Sequence, residues 1–185
     1  MEHITLKMKI IGWENKTMKA KLIIDGKEIE VEITQEQLEK LCPSKKKTGY
    51  ERVEKNKDYW YVGSNINVYR GLEEFLKPET DLYDGANYYT DKTVAENNAR
   101  ADKLMRQLRR FAVEHREKEL DWNNFDINKY RIVFDWKAKT LVVEHNVFCK
   151  VYGAIYFDST KTTELAIDTF KDELLWYFTE YKDSL

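Results

Sequence analysis

One stretch constrains this chain more than any other. From Thr90 to Arg116 apolar residues recur at the spacing of an amphipathic helix. At 100° per residue, Val94, Ala101, Leu104, Met105, Leu108, Phe111 and Ala112 gather on one arc. Lys92, Lys103, Arg106, Arg109 and Arg110 fall on the opposite arc, with Arg100 at the border. A helix with a single apolar face must bury it against a second layer, so the chain needs a packed domain around this segment. Its 185 residues are enough for a sizeable core.

The partner layer reads as β structure. Tyr59–Val62 and Ile66–Tyr69, joined by Gly63-Ser64-Asn65, have the pattern of a hairpin. Leu72–Leu76 reads as a short helical turn, while Lys77–Asn87 matches no regular element. After the long helix, Tyr130, Ile132, Phe134 and Trp136 alternate with Arg131, Val133 and Asp135 as in a strand. Leu141–Phe148 and Val151–Phe157 continue the meander. Asp158-Ser159 is placed to cap a final helix that runs to about Tyr181. Tyr88-Tyr89-Thr90 leads into one helix and Tyr156-Phe157-Asp158 into the other, an echo too faint in sequence to count as a repeat.

A smaller unit precedes this domain. Ile4–Ile11 and Met18–Ile24 are strand-like, and Asp25-Gly26 has hairpin-turn chemistry because glycine accepts a positive φ. Glu28, Glu30 and Glu32 then alternate with Ile29, Val31 and Ile33, which puts carboxylates and branched apolars on opposite faces. Thr34-Gln-Glu-Gln37 is a capping-box pattern that opens a short helix through Leu41. Pro43 ends it, and the polar run Ser44–Gly49 reads as a linker or an ordinary charged loop. The expected fold is α+β: an antiparallel sheet built from hairpins, with two long helices on one face and a small β-rich unit in front. The expected boundaries are residues 1–42 for the small unit, 43–58 for the linker and 59–185 for the α+β domain.

Composition narrows the function. A net charge of −2 is unlike a protein that coats nucleic acid non-specifically. Cys42 and Cys149 give neither a disulfide framework nor metal-ligand spacing. No apolar run approaches the roughly 20 residues of a membrane span, and the start has no signal-peptide pattern. These features point to an intracellular protein with free thiols, acting in the cytoplasm without membrane contact. Catalytic signatures are missing: no Gly-rich phosphate loop and no His-Glu-x-x-His motif. His145 and Cys149 lie four apart on an expected strand, which would separate their Cα atoms by roughly 13 Å, too far for proton transfer. The expectation is therefore no enzyme, no cofactor and no metal.

What remains is the basic helix face. Between Arg100 and Lys118 there are seven Lys/Arg and three Asp/Glu. One reading is a solvated face whose cations are offset by Glu96, Asp102 and Glu114 as helical neighbours. The other is a docking surface for an anion, since the arginine fork suits bidentate contacts to carboxylate or phosphate. Asn97 falls within the apolar arc and would need partners such as the loop backbone around Asp84. In the last helix, Leu165, Thr169, Asp172 and Trp176 form a second stripe beside the core arc of Ala166, Ile167, Phe170, Leu174, Tyr177, Phe178 and Tyr181. Trp176 is thus either packed inside the chain or exposed as an apolar anchor. The candidate partner-binding residues are Arg100, Lys103, Arg106, Arg109, Arg110 and Trp176.

Tyr88–Glu96, Leu104–Ala112, Asp121–Asn124 and Gly153–Phe157, with the final helix, resemble accessory proteins of phages and prophages of Gram-positive bacteria. The resemblance spans roughly Tyr59 to Tyr181 and rests on core and capping positions, so it transfers no site residue. Such small phage proteins include inhibitors of host defence, among them anti-CRISPR proteins. The resemblance therefore implies an inhibitor of a type II RNA-guided nuclease, bound to the effector protein or its guide-RNA complex in the bacterial cytoplasm. One alternative is direct binding of DNA or RNA through the same helix, with affinity that falls steeply with salt. A second is a nuclease with dispersed carboxylates.

Overall fold

The computed structural model describes residues 6–14, 17–24, 27–34, 37 and 47–184. The chain divides into two compact units, residues 1–46 and 47–185.

The first unit is an antiparallel meander of β1 (Leu6–Glu14), β2 (Thr17–Ile24) and β3 (Lys27–Thr34). The β1–β2 register shifts between Ile10 and Gly12, and Ile24 stands opposite Lys27 at the β2–β3 end. The Asp25-Gly26 turn expected there lies outside the described residues. Glu30 and Glu32 are exposed, as the alternation requires, but Ile29 is also 48% exposed. The capping box forms at its two ends. Thr34 N donates to Gln37 Oε1 at 2.9 Å, and Gln37 N donates to Thr34 Oγ1 at 3.2 Å. The helix expected to follow as far as Leu41 lies outside the described residues, apart from Gln37.

The second unit contains β4 (Asp58–Val62), β5 (Val68–Leu72), α1 (Lys77–Asp84), α2 (Lys92–Glu114), β6 (Lys129–Asp135), β7 (Thr140–Asn146), α3 (Thr160–Thr169) and α4 (Lys171–Thr179). The α+β class and the antiparallel hairpins are as expected. The hairpins do not merge into one sheet, however: β4–β5 and β6–β7 are separate two-stranded ladders. Gly71 lets the first of them close tightly, because a Cβ at this position would lie 2.4 Å from Cζ of Tyr59, its cross-strand partner.

Four further expectations change. Residues 47–58, read as linker, are built into the second unit: Gly49 O accepts from Thr90 N, and Arg52 pairs with Glu73. Leu72 ends β5 and no helical turn follows, since the Glu73 backbone bonds to Asn56 and Lys57 instead. The unassigned loop contains α1, whose first turn accepts Pro78 because a proline there loses no intrahelical bond. The last helix is interrupted at Phe170, which has φ −114° and ψ 20°. Thr169 Oγ1 bonds back to Leu165 O at 2.7 Å, a contact that competes with the helical ladder where the break falls.

The faint echo is a structural duplication. In each half, a hairpin is followed by a segment that makes a two-bond bridge to the hairpin's first strand, then by a capped helix. Trp60 and Tyr89 exchange N–H···O bonds of 2.8 Å in both directions. Tyr130 and Phe157 exchange bonds of 3.0 and 2.8 Å. Asp91 then caps α2 and Ser159 caps α3 through side-chain oxygens. Gly85-Ala86-x-Tyr88-Tyr89 and Gly153-Ala154-x-Tyr156-Phe157 stand in the same order, 68 residues apart.

Helix α2 is long because it serves both halves. Val94 and Ala95 in its first turns pack with Tyr89 against Trp60, Val62 and Val68 of the first hairpin. Leu104, Leu108, Phe111 and Ala112 join Phe157, Ala166 and Leu174 in the main core. Its apolar arc is buried as expected, with Met105 half-buried and Ala99 buried in addition. No helix among the described residues is long and apolar enough to cross a membrane.

Candidate docking surface

Burial of one side of α2 leaves the other side in water. Lys92, Glu96, Asp102, Lys103, Arg106, Arg109 and Arg110 are all exposed. At 100° per residue Lys103, Arg106 and Arg110 lie within about 60° of one another, and Arg109 about 60° beyond Arg106. At 1.5 Å per residue, Lys103 to Arg110 covers about 10 Å of helix axis.

The candidate cations are not equivalent. Arg100 is committed inside the fold: its Nε and Nη2 reach Glu173 Oε2 and Oε1 at 2.7 and 3.1 Å, and its guanidinium sits 4.0 Å over the Trp176 ring. The hydrogen bond from Arg100 holds the Glu173 carboxyl below its ordinary range, and the same bond raises the guanidinium further. Lys92 pairs with Glu96 at 2.9 Å, and Arg110 approaches Glu114 at 3.7 Å. Such exposed i,i+4 pairs are weak and readily exchanged for a partner. Among the described residues Lys103, Arg106 and Arg109 make no ion pair and no side-chain hydrogen bond. Arg106 and Arg109 are the free part of the patch, whereas the charge of Lys103 also helps to hold the Glu173 carboxyl below its ordinary range.

Trp176 is corrected outright as an exposed anchor. It is 8% exposed, stacked under Arg100 and 5.6 Å from the Tyr181 ring. The break at Phe170 is the reason: the stripe drawn on one continuous helix does not survive an interruption between Thr169 and Asp172. Leu165 stays exposed at 46% while Trp176 turns inward. Asn97 also differs from expectation. It donates to Lys182 O at 3.1 Å rather than to the loop around Asp84. Asn98 beside it holds the more elaborate network, donating to Tyr50 Oη and Val94 O and accepting from Tyr181 Oη.

The other chemistry-bearing side chains lie outside this face in sequence. His145 is on β7 near the Tyr130 ring, while Cys149 is exposed beyond the strand's end and bonds through its backbone to Asn146. His115 stacks on Phe111 at 3.9 Å. Among the described residues no group of three or more His, Cys, Asp or Glu side chains could hold a metal ion.

Two carboxylates are buried: Glu73, which escaped the sequence reading, and Asp158, which it named only with Ser159 as a helix cap. Glu73 is fully buried and accepts from Arg52 Nε and Nη2, Tyr88 Oη and Phe75 N at 2.7 to 3.1 Å. The Arg52 bonds lead in holding its pKa below the ordinary value, against burial. Burial raises the Asp158 carboxyl, but the N–H groups of Glu117 and Lys118, at 2.7 and 2.9 Å, bring the net shift below the ordinary value. Glu73 ties residues 52–57 and Tyr88 to the end of the first hairpin, while Arg52 reaches Thr80 of α1 at 3.0 Å, and Asp158 ties the exit of α2 to the start of α3. Neither stands in a periodic pattern, so no sequence signal marks Glu73, and the capping signal at Asp158-Ser159 does not reveal the burial of Asp158.

Comparison with protein-family models, with characterised proteins and with solved structures finds no match.

Proposed function

We propose that this is a non-catalytic binding protein whose exposed α2 face docks on an anionic surface of a partner. The observation that carries the reading is the pair Arg106 and Arg109, which make no ion pair or side-chain hydrogen bond among the described residues and stand beside Lys103 and Arg110 on a helix whose opposite face is buried in the core. An arginine that already has a carboxylate must break that pair to bind another, whereas Arg106 and Arg109 have no such pair among the described residues. Asp102 on the same arc and the Glu96 and Glu114 borders favour a partner of mixed charge over a bare polyanion. The overall charge of −2 points the same way.

The resemblance to phage accessory proteins gives the proposal its specific form: inhibition of a bacterial defence nuclease, most concretely a type II CRISPR effector or its guide-RNA complex, in the cytoplasm of the host. The test is plasmid interference in cells that carry such an effector, comparing the wild-type protein with Arg106→Glu/Arg109→Glu. Inhibition by the wild type and its loss in the variant, at equal thermal stability, is the expected result. No inhibition by either protein removes the nuclease-inhibitor form. Equal inhibition by both removes α2 as the docking face.

A further inference from the structure

We propose that the outer edge of β7 and the neighbouring side of α3 form a second binding site, which takes an extended peptide with basic residues at alternate positions. In an antiparallel ladder, residues alternate between pairs that bond to each other and pairs whose N–H and C=O groups point away. Tyr130 gives both of its groups to Phe157, so Tyr130 and its partner His145 form a pair that points away. The same alternation applies to Ile132 with Val143 and Phe134 with Leu141. His145, Val143 and Leu141 thus direct their backbone groups to the open side of β7. Among the described residues no strand pairs there, and the one contact is a long 3.5 Å bond from Thr140 Oγ1 to Leu141 O. An edge with this row of unmet donors and acceptors is a template for strand addition.

Beside the edge lies a cleft of about 620 Å³, walled by Leu141–Val143 on one side and by Thr160, Glu164, Ile167 and Asp168 of α3 on the other. Glu164 and Asp168 are exposed and have no ion-pair partner among the described residues. Four helical residues rise about 6 Å. Alternate side chains of an extended strand are about 6.8 Å apart. Two carboxylates at this spacing match lysines or arginines at positions i and i+2 of a peptide paired to β7. A second copy of this chain is a poorer occupant, because two-fold β7–β7 pairing would bring two such carboxylate pairs to one seam.

The duplication supports the assignment. At the equivalent place in the first half, Ile66–Val68 and α2, together with residues 168–173, wall a cleft that includes Lys92, Glu96, Ala99 and Arg100, each 68 residues before Thr160, Glu164, Ile167 and Asp168. There the residue equivalent to Asp168 is Arg100, already neutralised by Glu173. In the first groove Glu96 and Arg100 are paired within the chain, and in the second Glu164 and Asp168 have no ion-pair partner among the described residues.

The test is fluorescence anisotropy of the full chain with a labelled heptapeptide TKVKVKT. Saturable binding is expected, weakened at least tenfold by Glu164→Lys/Asp168→Lys. The acidic counterpart TEVEVET and a version N-methylated at alternate residues should not bind, and amide exchange at Leu141, Val143 and His145 should slow in the complex. No saturable binding, equal binding of the acidic or N-methylated peptide, or β7-dependent self-association in sedimentation would overturn the proposal. Retained inhibition in the Glu164→Lys/Asp168→Lys variant would leave the α2 reading untouched, so the two sites fail separately.

Discussion

Single residues in this protein divide into those that have spent their charge and those that have not. Glu73 has spent it: four donors converge on a carboxylate with no exposed surface. Removing one partner of a buried, hydrogen-bonded pair leaves the other orphaned. Glu73→Ala should therefore cost about 2–3 kcal/mol, a value reduced because Arg52 keeps a quarter of its surface in water. Thermal denaturation should show it as a Tm lower by several degrees. The pH dependence follows from the direction of the shift. The folded pKa of Glu73 lies below the ordinary value of 4.5, so its contribution is complete above that value and is lost as pH falls through the folded pKa. Asp158 acts with the same sign below its ordinary value of 3.8. Tm measured from pH 6 to pH 3 should fall, and Glu73→Gln should flatten the upper part of that fall. Burial pushes the Tyr89 and Tyr181 hydroxyls up to about 12, so neither should ionise near neutrality.

At the scale of elements, the long helix was legible because thirteen or so residues of period 3.6 outweigh any local ambiguity. The hairpins were legible from alternation, and α2 starts where Asp91 caps it, accepting from Val94 N at 3.0 Å. Asp91→Ala should cost about 1 kcal/mol, read by chemical denaturation. Leu104→Ala, at the centre of the core, should cost about 2–5 kcal/mol. What stayed hidden depends on tertiary contacts. The helix α1 has no buried residue and so no periodic signature. The break at Phe170 turns on one back-bonded threonine and on the packing of that ring edge-on to Phe111. That break also decided the site, because it moved Trp176 inside. Of the six candidate contacts, Lys103, Arg106, Arg109 and Arg110 are on the exposed face that their spacing predicts. Arg100 was already at the border of the arc, and a carboxylate 73 residues away claimed it.

At the scale of the whole molecule, residues 47–185 hold two cores of their own among the described residues. A chain that begins at Lys47 should therefore unfold cooperatively, with a Tm within a few degrees of the same transition in the full protein. Loss of the transition would show that the first unit is needed for the second to fold. The duplicated hairpin and helix give the second unit two halves joined by α2, which leaves that helix rigid and its charged face fixed in direction. A rigid, pre-formed face saves the ordering cost that a flexible basic segment would carry on binding. The most direct measurement is affinity capture from a lysate of a Gram-positive bacterium that carries a type II CRISPR effector, with the tagged wild-type protein and with Arg106→Glu/Arg109→Glu, before and after nuclease treatment. The account predicts a discrete partner that survives nuclease treatment and disappears with the charge reversal. A partner held equally by the variant, or capture that nuclease abolishes, would contradict it.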